Sequence, residues 1–140
     1  IMDPQKLVDT LRAQHRTLQA DLAVTQENEA VGDLEGILSN LNKFRNDLLA
    51  HMKLEGEDFY PDYFKKKIAK GESVATGEKF IKEMDILAKT IIEFLDKYAN
   101  IESIKSSPDD FKKELSSMVG TLNIRIETEE EGLFDFYLMM

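Results

Sequence analysis

Two histidines and two glutamates stand where apolar side chains belong. His15 and His51 are the sole histidines of this 140-residue chain. Each falls on an otherwise apolar helical stripe. The first stripe runs Leu7, Leu11, His15, Leu18, Leu22. The second runs Leu34, Ile37, Leu38, Leu41, Phe44, Leu48, His51, Met52. Glu55 follows His51 by one helical turn, so imidazole and carboxylate share one helix face. Glu129 lies on the stripe Phe111, Leu115, Met118, Leu122, Ile126, Glu129, Leu133. Imidazole and carboxylate side chains projecting into one level of a helix bundle are the donors of a transition-metal site.

Taken singly, each residue has a plainer explanation. A histidine on an apolar face is usually a core or boundary residue. An H-x-x-x-E pair is usually an exposed pair, and the run Glu127 to Glu131 a solvated face. What joins them is depth. At ~1.5 Å per residue, His15 lies ~18 Å from the start of its helix, and Glu129 is as far from the end of an antiparallel fourth helix. His51 and Glu55 come to the same level, opposite the stretch Met84 to Ala88 of a third helix.

The elements that must position these residues are all helical. Asp3-Pro4 opens the first helix, an N-cap acceptor before a proline, and the helix should end between Gln26 and Ala30. Gly32-Asp33 opens the second. Gly56 and Pro61 should bend or interrupt it before a shorter piece to about Ala69, closed by Lys70-Gly71. Residues 73 to 77 read as a turn or a first helical turn. Phe80, Ile81, Met84, Leu87, Ala88, Ile91, Leu95 and Tyr98 mark the third helix, expected to end between Ile101 and Ser103. Ser107-Pro108 opens the fourth. No stretch alternates with period two. The expected fold is all-α: an antiparallel up-down-up-down four-helix bundle, with residues 1–140 as a single domain.

Composition narrows the function. Eighteen basic against 27 acidic residues give a net charge of −9, which repels nucleic acid and anionic lipid. No apolar run reaches the ~20 residues of a membrane span. Cysteine is absent, so disulfides, thiolate metal sites and a cysteine nucleophile are excluded. Ile1-Met2-Asp3-Pro4-Gln5 has no basic and apolar leader, Ile1 reads as an extra residue ahead of Met2, and a cytoplasmic location is expected. No nucleophile–base constellation or phosphate loop is visible, so an enzyme is not expected.

The motifs resemble the hemerythrin-like (HHE cation-binding) family across nearly the whole chain. Leu11-Arg12-Ala13-Gln14-His15 is similar to its first ligand helix. His51-Met52-Lys53-Leu54-Glu55 with Tyr60-Pro61 is similar to its H-x-x-x-E and aromatic-proline pair. Ile126-Glu127-Thr128-Glu129-Glu130-Glu131-Gly132-Leu133-Phe134 resembles its I-x-x-E-E-x-x-L-F signature. Three positions on two helices depart: Arg125 stands where the family has a histidine, and Met84 and Ala88 stand where the third helix would offer histidines. The resemblance thus implies a metal set reduced to His15, His51, Glu55 and Glu129. Two histidines do not furnish the imidazole-rich pair of irons that carries oxygen reversibly.

The expectation is an incomplete or altered di-iron site in a sensory, regulatory or binding module. Non-heme iron, as one or two ions, is one content. None is the other, favoured by the guanidinium of Arg125, which would pair with Glu55 or Glu129. A carboxylate from Glu83, Asp85 or Glu127 would tilt the balance toward metal. The alternative is an iron protein for oxygen, nitric oxide or redox sensing, or for iron handling. Expected partners are a metal ion or another protein, with the chain a monomer or weak dimer. The aromatic group Phe59, Tyr60, Tyr63, Phe64 should cover one bundle end, and the apolar C-terminus from Phe134 should pack on the bundle or serve a dimer.

Overall fold

The computed structural model describes residues 2–140; Ile1, read above as an extra residue, lies outside them. The described residues form helices and no strand: α1 (Pro4–Ala30), α2 (Leu34–Leu54), α3 (Tyr60–Ala69), α4 (Ala75–Lys97), α5 (Ile101–Lys105), α6 (Pro108–Glu129) and α7 (Asp135–Leu138). A π-helical turn, Glu55–Phe59, joins α2 to α3, and a second, Glu130–Phe134, joins α6 to α7. The long rods are therefore α1, α2–α3, α4 and α6–α7. α1 packs on α2 and α6, and α4 packs on the same two from the other side. This is the ring of neighbours of an up-down-up-down bundle. None of the helices is long and apolar enough to cross a membrane.

Local chemistry sets the ends. Asp3 accepts from the Lys6 N–H and Asp33 from that of Gly36, each cap being worth about 1 kcal/mol. Gly32 (φ +72°) and Gly71 (φ +68°) take the left-handed conformation that closes α1 and α3. The third long helix stops at Lys97, earlier than the periodicity predicts. Asn100 is the reason: its side chain caps a new short helix by accepting from the Ser103 N–H.

Pro61 does not break its rod. It has no N–H to donate, and in an α-helix its ring would press on the carbonyl four residues back. In the π-turn Tyr60 N–H reaches back to Glu55 O instead, and the wider turn makes room. The second π-turn holds no proline. There Asp135 N–H reaches Glu130 O. Both turns bring residues five apart onto one face: Glu55 with Tyr60, and Glu129 with Phe134, all buried. At 3.6 residues per turn such a step would land ~140° away.

The apolar interior falls into two clusters. The larger includes Leu18, Leu22, Leu41, Phe44, Leu48, Ile91, Phe111, Leu122 and Ile126. The smaller gathers Leu7, Val8, Leu11, Phe59, Tyr60, Tyr63, Leu133, Phe134 and Tyr137 at one bundle end. Three of the four expected aromatics are thus buried in the end cap, with Phe64 packed beside them. The C-terminus is divided: Phe134 and Tyr137 are buried, whereas Phe136 and Met139 face outward. Tyr137 donates to Asp62 Oδ2 at 2.5 Å and Arg12 meets Asp135 at 2.6 Å, which ties α7 to α3 and α1. Along α1, α2 and α6, the residues between the two clusters are His15, His51 and Glu129.

Candidate metal centre

Between the two apolar clusters lies a buried polar layer. His15 comes from α1, His51 from α2, Glu55 from the first residue of its π-turn, and Glu129 from the last residue of α6. All are buried. One potential ligand atom from each lies within 4.8 Å of the others. His15 Nε2 is 3.1 Å from His51 Nε2 and 3.1 Å from Glu129 Oε1. His51 Nε2 is 3.5 Å from Glu55 Oε1 and 3.8 Å from Glu129 Oε1. Atoms bound ~2.1 Å from one tetrahedral ion stand roughly 3.4 Å apart, so these separations are those of donors around a single ion.

The histidine tautomers point the same way. His15 Nδ1 lies 2.7 Å from Glu130 Oε2. A carboxylate oxygen only accepts, so Nδ1 donates. His51 Nδ1 lies 2.7 Å from Gln14 Oε1, with the amide oriented to accept. Burial holds the His51 pKa below its usual value, so this ring stays neutral. In the neutral tautomers both protons are spent outward, and both Nε2 lone pairs face the centre. Glu129 Oε1 and Glu55 Oε2 are buried without a hydrogen-bond donor. Converging lone pairs and undonated carboxylate oxygens fit a cation, and an outward Nδ1–H on a carboxylate or amide is the support metal-binding imidazoles ordinarily have.

Electrostatics separates the two glutamates. Burial, then the charge of Glu129, pushes the Glu55 carboxyl well above the usual range. Burial alone would raise Glu129 too. The Glu55 carboxyl against it and the charge of Arg125 overcome burial and hold it well below. Arg125 Nη2 lies 3.0 Å from Glu129 Oε2, so of the two carboxylates anticipated for it the guanidinium takes Glu129.

The remaining anticipated residues are placed as follows. Met84 is buried and lines, with Glu55, Tyr60 and Met52, a cavity of about 280 Å³. Ala88, also buried, lines a separate groove with Leu48 and Met52. Glu83 is half exposed, with Oε2 3.9 Å from Arg125 Nη1. Asp85 and Glu127 are exposed. None of these three carboxylates joins the cluster. Sequence reasoning missed Glu130 and Gln14, the partners of the ring Nδ1 atoms. Gln14 precedes His15 and so sits beside the stripe, and Glu130 opens a π-turn that the periodicity does not reveal. The polar neighbours of a ligand were the available signal.

Comparison with known proteins agrees with this geometry. The family profile described as the hemerythrin HHE cation-binding domain matches residues 6–137. A search of curated proteins found no match, and a search of solved structures found none. The matched span begins within α1, ends within α7 and contains every member of the buried His/Glu layer. With a helical bundle, a buried histidine–carboxylate cluster and a profile match over nearly its whole length, the chain belongs to the hemerythrin HHE cation-binding domain family.

Proposed function

We propose that the chain is a metal-binding hemerythrin-like module that holds a divalent transition-metal ion, iron by family, on His15, His51, Glu55 and Glu129, and that it works as a sensory or binding unit rather than as a reversible oxygen carrier. The observation that carries the reading is the convergence of both imidazole Nε2 atoms and one carboxylate oxygen from each of Glu55 and Glu129 on one buried point. Two imidazoles and two carboxylates suit iron(II), manganese(II) or zinc(II). When bound, such an ion supplies a Lewis-acidic centre and, if it is iron, a one-electron couple. The chain itself orients both rings through Glu130 and Gln14 and seals the layer with Phe134 and Phe59. The ring of Phe134 stacks on His15 at 5.6 Å. The oxygen-carrier reading is disfavoured because Met84, Ala88 and Arg125 bring no imidazole.

The experiment is reconstitution. Protein stripped with chelator is titrated anaerobically with ferrous iron, and metal content and melting temperature are read together. Retained iron and a raised Tm are expected in the wild type and not in His51→Ala. Equal behaviour of the two proteins would sink the proposal.

A second reading has its own support. The Arg125–Glu129 pair and the raised Glu55 carboxyl would also satisfy a metal-free bundle, with the guanidinium in place of an ion. On that reading chelators leave the wild-type Tm unchanged.

A further inference from the structure

We infer that Arg125 is the resident second cation of this centre, so that the layer is built for one metal ion and one guanidinium bridged by Glu129. The inference rests on the metal-binding reading above and fixes its stoichiometry.

Glu129 divides its two oxygens. Oε1 faces the histidines, 3.1 Å from His15 Nε2 and 3.8 Å from His51 Nε2. Oε2 faces Arg125 Nη2 at 3.0 Å. A carboxylate that presents one oxygen to a metal pocket and the other to a fixed positive charge would bridge two cations once the pocket is filled. Here the second cation is covalently part of the chain. It cannot be lost by deprotonation, because a guanidinium keeps its proton in proteins.

Arg125 is held in this position rather than merely passing through it. Its residue is only 9% exposed. The guanidinium lies over the Phe80 ring, 4.9 Å from the centroid, and Nη2 also approaches the Tyr60 hydroxyl at 3.5 Å. Glu83 stands at its outer side. A buried arginine fixed by a ring face and a buried carboxylate occupies space that a mobile ion would need.

Charge and donors agree. Glu55 and Glu129 together balance one divalent ion. The guanidinium adds a further positive charge, met from outside by Glu83. A second divalent ion would bring two more positive charges into a layer with no additional buried carboxylate in contact. It would also find no imidazole, since α4 presents Met84 and Ala88 at this level.

The test counts metal. Chelator-stripped wild-type protein is loaded anaerobically with excess ferrous iron, desalted and analysed by elemental mass spectrometry against protein concentration. One iron per chain is expected. The double variant Arg125→His/Met84→His, which removes the guanidinium and supplies two imidazoles, is expected to hold two. Two irons in the wild type, or one in a folded double variant, overturn the inference and leave the metal-binding reading standing. No iron in the wild type, with no gain in Tm, overturns both. Should the double variant not fold, Arg125→Gln decides. Its metal-free Tm should fall, because Glu129 loses its counter-charge, and its iron affinity should rise about tenfold or more as cation–guanidinium repulsion is removed. Unchanged affinity overturns the inference.

Discussion

His15 and His51 present their Nε2 atoms to each other across 3.1 Å, while both Nδ1 atoms are engaged on the outer side by Glu130 and Gln14. With the outer nitrogens so engaged, Nε2 lone pairs that face each other repel unless a cation stands between them. Metal should therefore stabilise the fold by mass action. At an ion concentration a hundred times the dissociation constant the gain is about 2.7 kcal/mol. Scanning calorimetry with and without ferrous iron should show it in the wild type, and should show none of it in His15→Ala or His51→Ala.

Glu130 should matter to metal affinity although it is not one of the converging donors. It fixes the ring of His15 through Nδ1 and is itself held by Arg16. Glu130→Ala is expected to weaken binding about 10–100-fold. Glu130→Gln should recover part of that, since an amide oxygen also accepts from Nδ1. Competition against a chromophoric chelator measures both. Affinity indifferent to Glu130→Ala would mean the tautomer is set elsewhere.

Asp21, ~9 Å along α1 from His15, should make stability depend on pH outside the metal layer. It is buried on α1, with Lys43 Nζ at 2.8 Å, and Lys43 also reaches Asp47 at 2.8 Å. Burial, followed by the neighbouring Asp47, raises its pKa from 3.8 to about 6. A carboxyl raised by folding binds its proton more tightly in the folded state. Its favourable contribution is complete below 3.8 and is lost as pH rises through about 6. Asp21→Asn, neutral throughout, should gain roughly 1–3 kcal/mol relative to wild type between pH 4 and pH 7.5. Urea unfolding of both proteins at the two pH values gives the difference, in which the other titrating groups largely cancel. A constant difference would refute the assignment.

Gly77 lets α4 pack closely on the rings of Tyr63 and Phe64 in the aromatic end cap. A Cβ there would stand 2.6 Å from Phe64 Cε1 and 2.7 Å from Tyr63 Cε1. Alanine favours a helix over glycine by up to about 1 kcal/mol, but displacing two packed rings costs more. Gly77→Ala is expected to be net destabilising by about 1–2 kcal/mol, read from the denaturation midpoint.

The fold was legible because the apolar stripes are long and their exceptions few. His15, His51 and Glu129 each interrupt a run of Leu, Ile and Phe, and counting rise per residue along antiparallel rods puts them at one depth. Three features were not legible. The side chain of Asn100 ends one helix and begins another, a local capping choice that periodicity passes over. Arg125 had two acidic acceptors to choose from, and its seat over Phe80 and beside Glu83 of α4 leaves it on Glu129, one turn on along its own helix. Glu130 and Gln14 lie off the stripes, and their approach to the imidazoles depends on how the ring planes sit between α1, α2 and α6.

The two π-turns let each rod carry one residue more than its facing requires. Each absorbs a residue between the ligand-bearing half of a rod and its aromatic half, so both halves keep facing the same interior. Gly56 has nothing within 4 Å of where a Cβ would stand, and Gly132 meets only Phe80, at 3.8 Å. A methyl group would therefore fit at either glycine. Deleting either one would restore an ordinary α-helix in which Glu55 and Tyr60, or Glu129 and Phe134, stand four apart and still share a face. In the first rod it would also set the ring of Pro61 against the carbonyl four residues back, a clash the wider turn now avoids.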